Sequence, residues 1–196
     1  MWPEQAFLRG QHVVLAPLSQ DHCVDLQKAS AVGELHRLWY TTVPAPDEMA
    51  AEIDRRLGLQ KTGSMLPFAT CLPDGTAIGM TTYMNIDAVN KRLEIGSTWL
   101  GRAAQRSPVN TEAKRLMLAH AFEQLNCIAV EFRTHFMNAQ SRAAIERLGA
   151  KLDGVLRAHM RLADGSLRDT VVYSITAPEW PAVRANLDWR LSQPRG

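Results

Sequence analysis

At 196 residues and 21.8 kDa the chain is long enough for one domain with a substantial core, since a domain of this size buries about 70% of its unfolded surface. The net charge is +2 with an isoelectric point near 8.5, and acids and bases are interspersed without a Lys/Arg block, which argues against nucleic acid or an anionic membrane as bulk partners. Cys23, Cys71 and Cys127 are odd in number with no CxxC spacing. With no leader pattern and no apolar run near the ~18 residues that span a bilayer, a soluble cytoplasmic protein with reduced, structural thiols is expected.

Leu8 to Leu18 alternates as a first strand ended by Pro17, and Ser19 to Ser30 reads as a capped helix with Cys23, Leu26 and Val24 turned inward. From Val32 to Pro46 the pattern is irregular. His36, Trp39, Tyr40, Thr41 and Thr42 cluster there, as suits a substrate-lining loop or a cover for the core. Asp47 to Leu57 predicts a second helix through Met49, Ile53 and Leu57, with Gly58 as its exit. Met65 to Leu72 and Thr76 to Ile86 flank Pro73-Asp74-Gly75, whose proline and glycine suit a tight turn, so the two runs form a hairpin.

The most informative stretch runs from Leu93 to Asn126. Leu93 to Leu100 alternates as a strand, whereas Leu118, Ala121, Phe122 and Leu125 fall at helical spacing, so the period changes from two to 3.6 across one loop. Ser107 or Asn110 can cap that helix, and Pro108 suits its first turn. Its first amides, the helix dipole, Arg102 and Arg106 together favour an anion, with an ordinary capped helix as the plain alternative. Cys127 to Thr134 is the next strand, parallel to the Leu93 strand if the helix crosses between them.

Asn138 caps a helix that uses Ala144, Ile145 and Leu148 and stops at Gly149. Leu152 to Leu162 and Asp169 to Ile175 flank the Ala163-Asp164-Gly165-Ser166 turn. Trp180, Val183, Leu187 and Leu191 mark a C-terminal helix over 178–192, and Gln193 to Gly196 form a loose tail. No HExxH, Cys/His cluster or nucleotide-type phosphate loop appears, so no metal centre is expected.

The element order, Gln105 with Thr111-Glu112-Ala113, Glu94-Ile95-Gly96, Asn138-x-x-Ser141, Leu148-Gly149, Gly154 to Arg157 and Pro178-Glu179-Trp180 together resemble the GNAT acyltransferase superfamily. The likeness is strongest to the branch of the ribosomal-protein alanine N-acetyltransferases. It implies one α+β domain over 1–196, with a mixed, mostly antiparallel sheet, a central βαβ unit and helices on both faces. It also implies acetyl-CoA as co-substrate, bound where the Leu93 and Cys127 strands splay apart.

In that resemblance Thr98, Trp99 and Leu100 supply main-chain groups to pantetheine. Gln105, Arg106, Ser107, Val109, Asn110 and Thr111 hold the diphosphate, Asn138 meets pantetheine or water, and Arg142 meets the nucleotide. Pro108 and Asn110 depart from the small residues of the family's loop, and Pro108 has no N–H to offer.

Acyl transfer to an amine needs a base for the ammonium proton. Glu94 is the first candidate, with Asp87, Glu131 and His135 in reserve. The family's tyrosine acid would fall at Ile145, which leaves Ser141 as its replacement. Trp39 and Tyr40 are the candidate acceptor-binding residues, with Trp99 as a further aromatic face. The acceptor is a protein N-terminus or a small-molecule amine, and a homodimer is allowed. The alternative is a non-catalytic acyl-CoA-binding or regulatory module on the same fold.

Overall fold

The computed structural model describes residues 2–162 and 164–193. The strands are β1 (Leu8–Arg9), β2 (Val14–Pro17), β3 (Met65–Cys71), β4 (Ala77–Asp87), β5 (Arg92–Leu100), β6 (Ala129–His135), β7 (Lys151–Arg161) and β8 (Leu167–Thr176). The helices are α1 (Cys23–Ala31), α2 (Met49–Lys61), α3 (Val109–Ala119), α4 (Ala139–Leu148) and α5 (Trp180–Ser192), with a π-helical segment, His120–Gln124, continuing α3. All eight strands form one sheet in the order β1-β2-β3-β4-β5-β6-β8-β7. Every neighbouring pair is antiparallel except β5 and β6, which α3 joins as a parallel βαβ unit.

Alternation along the strands splits the core in two. Val13, Leu15, Phe68, Tyr83, Leu93, Ile95, Val130, Phe132 and Tyr173 pack with α3, α4 and α5 on one face, around Met117, Leu118, Ile145 and Trp180. On the opposite face Val14, Ala69, Cys71, Met80 and Trp99 pack with Leu26, Met49 and Ile53 of α1 and α2. That second cluster stops at β5, so the same face of β6, β8 and β7 carries no buried helix cluster among the described residues. Cys71 and Cys127 are buried free thiols, pushed up to about 11 by burial.

Three sequence expectations change. Leu8 to Leu18 is not one strand but two short antiparallel ones, turned between Gly10 and Val13. The cause lies about a hundred residues away: Glu112 accepts the backbone N–H groups of Gln11, His12 and Val13 at 2.9, 2.6 and 2.9 Å. Val24 points outward, 59% exposed. Gly58 does not end α2, which runs to Lys61 and leaves through Gly63 at φ +77°. The Asp74-Gly75 turn, the Gly149 left-handed cap at φ +102° and the hairpin of β7 and β8 form as expected. Ala163 of that hairpin's turn and tail residues 194–196 lie outside the described residues.

Candidate active site

β5 and β6 pair only at Arg92 with Ala129, Leu93 with Val130 and Glu94 with Glu131. β5 then runs on to Leu100 and β6 to His135 with no further pairing, so the two strands splay and leave a gap beyond Glu94. The departure begins at a bulge. Thr82 faces Gly96 and Met80 faces Trp99, which leaves Ser97 and Thr98 opposite Thr81 alone, with Ser97 at φ +47°.

Two buried cations hold this bulge from opposite faces of the sheet. From α2, Arg56 (2% exposed) donates to Thr82 Oγ1 at 2.8 Å and the Ser97 carbonyl at 3.2 Å, with Glu52 at 2.7 Å as its counterion. From α3, Lys114 (5% exposed) donates to Thr98 Oγ1 at 2.7 Å and Thr81 Oγ1 at 2.9 Å. Neither residue is among the site candidates drawn from the sequence. The signal was present, because Arg56 lies on the Met49–Ile53 stripe and Lys114 stands four residues before Leu118 on the apolar stripe of α3. A cation on an apolar stripe is a cation bound for the interior.

Glu94 stands at the last shared pair, 4% exposed, on the face opposite Leu93 and Ile95. Its Oε2 accepts from Asn85 Nδ2 at 2.7 Å and lies 3.6 Å from Arg133 Nε. Burial raises its pKa, against the Asn85 hydrogen bond and the Arg133 charge that pull it down. Glu131 is tied to Arg92 at 2.6 Å and Arg133 at 2.9 Å. Asp87 holds Asn90 in the turn before β5, at the closed end of the strand pair, so it is removed from the gap.

The loop before α3 is built partly as expected. Ser107, not Asn110, meets the helix start, accepting the Val109 N–H at 3.3 Å while donating to the Ala104 carbonyl at 2.6 Å. The Val109 side chain is buried in the core. Gln105 turns back, its Nε2 donating to the Leu100 carbonyl at 3.0 Å, so it fixes the end of β5 instead of facing an anion. Glu112 N–H bonds the Pro108 carbonyl, whereas Asn110 and Thr111 lie too early in α3 to reach a carbonyl of their own helix. Arg106 is exposed at φ +60° beside them.

Across the gap, Asn138 Oδ1 accepts the Ser141 N–H at 2.9 Å and caps α4. Ser141 is half-buried in the first turn. Arg142 is held locally, its Nε 3.3 Å from Tyr173 Oη and its guanidinium 4.8 Å from the Phe136 ring centre. Ile145 is buried in the core. Trp39 (56% exposed) packs edge-on against Tyr40 at 5.6 Å and against His135 at 5.1 Å, which brings the irregular loop over the free end of β6. Trp99 offers no aromatic face, because its ring is buried in the α1–α2 cluster and only its main chain borders the gap.

On the uncovered face of β6, β8 and β7 lies a cavity of about 450 Å³ whose lining includes Glu131, Arg133, Asp153, Leu156, Val172 and Ser174. It shares Arg133 and Glu131 with the surroundings of Glu94.

A mixed sheet with one parted parallel pair, a helix start facing the gap and a buried carboxylate at the last pair define an acyltransferase-type α+β fold. The acetyltransferase (GNAT) domain model matches residues 12–151, and the chain belongs to that family. It is 32% identical to a GCN5-related N-acetyltransferase from Brucella melitensis, over 97% of this chain and 87% of that one, with a TM-score of 0.87. A provisionally named acetyltransferase from T. thermophilus is 35% identical over 97% and 100% of the two chains, with a TM-score of 0.85. YdaF of Bacillus subtilis, provisionally named a ribosomal N-acetyltransferase, is 34% identical over 112 residues, 57% of this chain. The match spans 60% of that relative's length.

Proposed function

We infer that this chain transfers an acetyl group from acetyl-CoA to a primary amine, by direct attack of the amine while both substrates are bound. The observation that carries this reading is the buried Glu94 carboxylate at the last residue pair before β5 and β6 part. The gap fits the co-substrate. On the β5 side, main-chain groups at Thr98 and Trp99 lack a β6 partner, as a pantetheine arm continuing the ladder requires. The amides of Asn110 and Thr111, with Arg106, suit a diphosphate despite Pro108. Acetyl-CoA supplies an activated acyl group and a thiolate leaving group.

The chain's own residues then divide the work. Glu94, its pKa raised by burial, takes the ammonium proton directly or through water. A main-chain N–H at Trp99 or Leu100 meets the oxyanion. Ser141, beside the Asn138 cap, hydrogen-bonds the departing sulfur. Trp39, Tyr40 and the open cavity along β6 and β8 receive the acceptor, and that cavity lies open enough for a polypeptide N-terminus. The provisional name of YdaF, with its ribosomal acceptor, points the same way.

The test is amine-dependent release of free CoA from acetyl-CoA, across a panel of peptides with free N-termini and small amines. Release with a peptide acceptor that falls in Glu94→Gln supports the reading. Acetyl-CoA binding without release for any amine would favour the non-catalytic module.

A further inference from the structure

Lys114 is a buried amine with no anion paired to it among the described residues. Its Nζ hydrogen-bonds the hydroxyls of Thr98 and Thr81, which are themselves 2.8 Å apart. Thr98 is exposed, four residues beyond the last β5–β6 pair, so the lysine reaches the gap through one side chain. From β4 the neighbours are Thr81, which also bonds the Met117 sulfur, and then Tyr83; from α3 itself the next ionisable group on this side is His120, 3.3 Å from the Tyr83 hydroxyl. No Asp, Glu, Arg or second Lys among the described residues bears on the ionisation of Lys114, which burial alone lowers to about 7.

A buried cation without a counterion costs several kcal/mol, and a negative charge developing nearby offsets part of that cost. Acetyl transfer develops such a charge at the leaving sulfur. Ile145 is buried in the core, so α4 offers no phenol, and a serine hydroxyl can relay a proton but is too weak an acid to be its source.

We propose that Lys114, acting through the Thr98 hydroxyl, supplies the proton that the CoA thiolate takes up as it leaves. This rests on the acetyltransferase reading above. As the new C–N bond forms and the C–S bond breaks, the Thr98 O–H proton passes to sulfur and a Lys114 N–H proton passes to the Thr98 oxygen. The attacking ammonium sheds two protons in all: Glu94 or its water removes one to solvent, and the other reloads Lys114, so the net release is one proton and the product is a neutral thiol. Donation from a group near 7 to a thiol of pKa about 8.5 runs downhill. In the ground state the same ammonium favours the thiolate form of bound CoA.

The experiment is an ultraviolet titration of the thiol of CoA bound to the intact protein, with affinity measured by calorimetry. Because Lys114 and the bound thiol titrate as one pair sharing a proton, thiolate absorbance of CoA bound to the wild type is expected to begin about one pH unit below that of free CoA. Lys114→Met and Thr98→Val should each abolish the shift while CoA affinity stays within about threefold, a change too small to reflect a lost binding contact. Lys114→Arg, which keeps the charge, should retain the shift but not the transfer of a proton, and so should lower turnover.

If Lys114→Met does not fold, Thr98→Val alone decides the matter. A thiol shift unchanged in Thr98→Val, or lost in Ser141→Ala instead, would overturn the proposal. Failure of CoA to bind the wild type at all would overturn the acetyltransferase reading first, and this proposal with it.

Discussion

The Glu94 carboxylate occupies the space above Gly96, with Oε1 only 2.6 Å from where a Cβ at that position would sit. The Met84 sulfur crowds the same point at 2.7 Å. Glycine two residues along the strand is thus what lets the glutamate fold over its own backbone toward Asn85. Gly96→Ala should push the carboxylate off Asn85 and lower turnover by about tenfold to a hundredfold, with acetyl-CoA affinity little changed. Steady-state kinetics beside calorimetry separates the two.

Glu94 itself gives a pH signature. Its pKa is raised in the folded chain, so stability associated with it is present at low pH and is lost as pH rises through the raised value. Activity that needs the ionised base runs the opposite way, rising through the same window. Glu94→Gln should lose about 10²–10⁴ in turnover, flatten that rise, and become more stable than the wild type above the window. Denaturation curves at pH 5 and pH 9 with a pH–rate profile check both halves.

Glu112 is a prediction about folding. Its one carboxylate serves the N–H groups of Gln11, His12 and Val13, and fills the site where Gly10 would carry a Cβ. Glu112→Gln keeps the size but sets an NH₂ against backbone N–H groups, and should cost about 2–4 kcal/mol, the scale of orphaned buried donors. Urea denaturation measures it. Gly10→Ala should destabilise through the same carboxylate.

Lys114 should make stability rise with pH. The folded chain gives up the proton near 7 and the unfolded chain near 10.5, so between them the unfolded chain holds the extra proton. The slope can amount to at most about 5 kcal/mol over that span. Lys114→Met should remove the slope and be the more stable protein at pH 7. Equal slopes for the two proteins between pH 7 and pH 10 would contradict it.

The chain order of strands and helices was legible because each element carries its own period and its own punctuation, as at Asp74-Gly75 and Gly149. What was hidden is what distant residues impose. Leu8 to Leu18 alternates like one strand, and only a carboxylate from α3 divides it. Gly58 looked like a stop, yet a glycine facing open space costs a helix only about 1 kcal/mol and α2 continues. At the site, the place of Glu94 before the splay and the Asn138 cap were readable from motif and position, while the role of Glu94 is a proposal. The side chains of Gln105 and Trp99 turn away from the gap, which sequence cannot show because it places a residue in a loop or strand but not the direction of its side chain. Lys114 and Arg56 belong to no motif, and only their position on apolar helix stripes betrays their burial.

The short ladder between β5 and β6 means that the sheet is nearly two sheets. β1 to β5 form one leaf, and β6, β8 and β7 the other, stitched edge to edge by three residue pairs and otherwise held by the shared helix layer. A guest lying in the cleft would act as a splint across the seam. Its binding would therefore register as resistance to opening of the whole fold, about 2.7 kcal/mol at a hundredfold excess over the dissociation constant. Melting temperature thus becomes a sensor for cleft ligands that needs no knowledge of the acceptor.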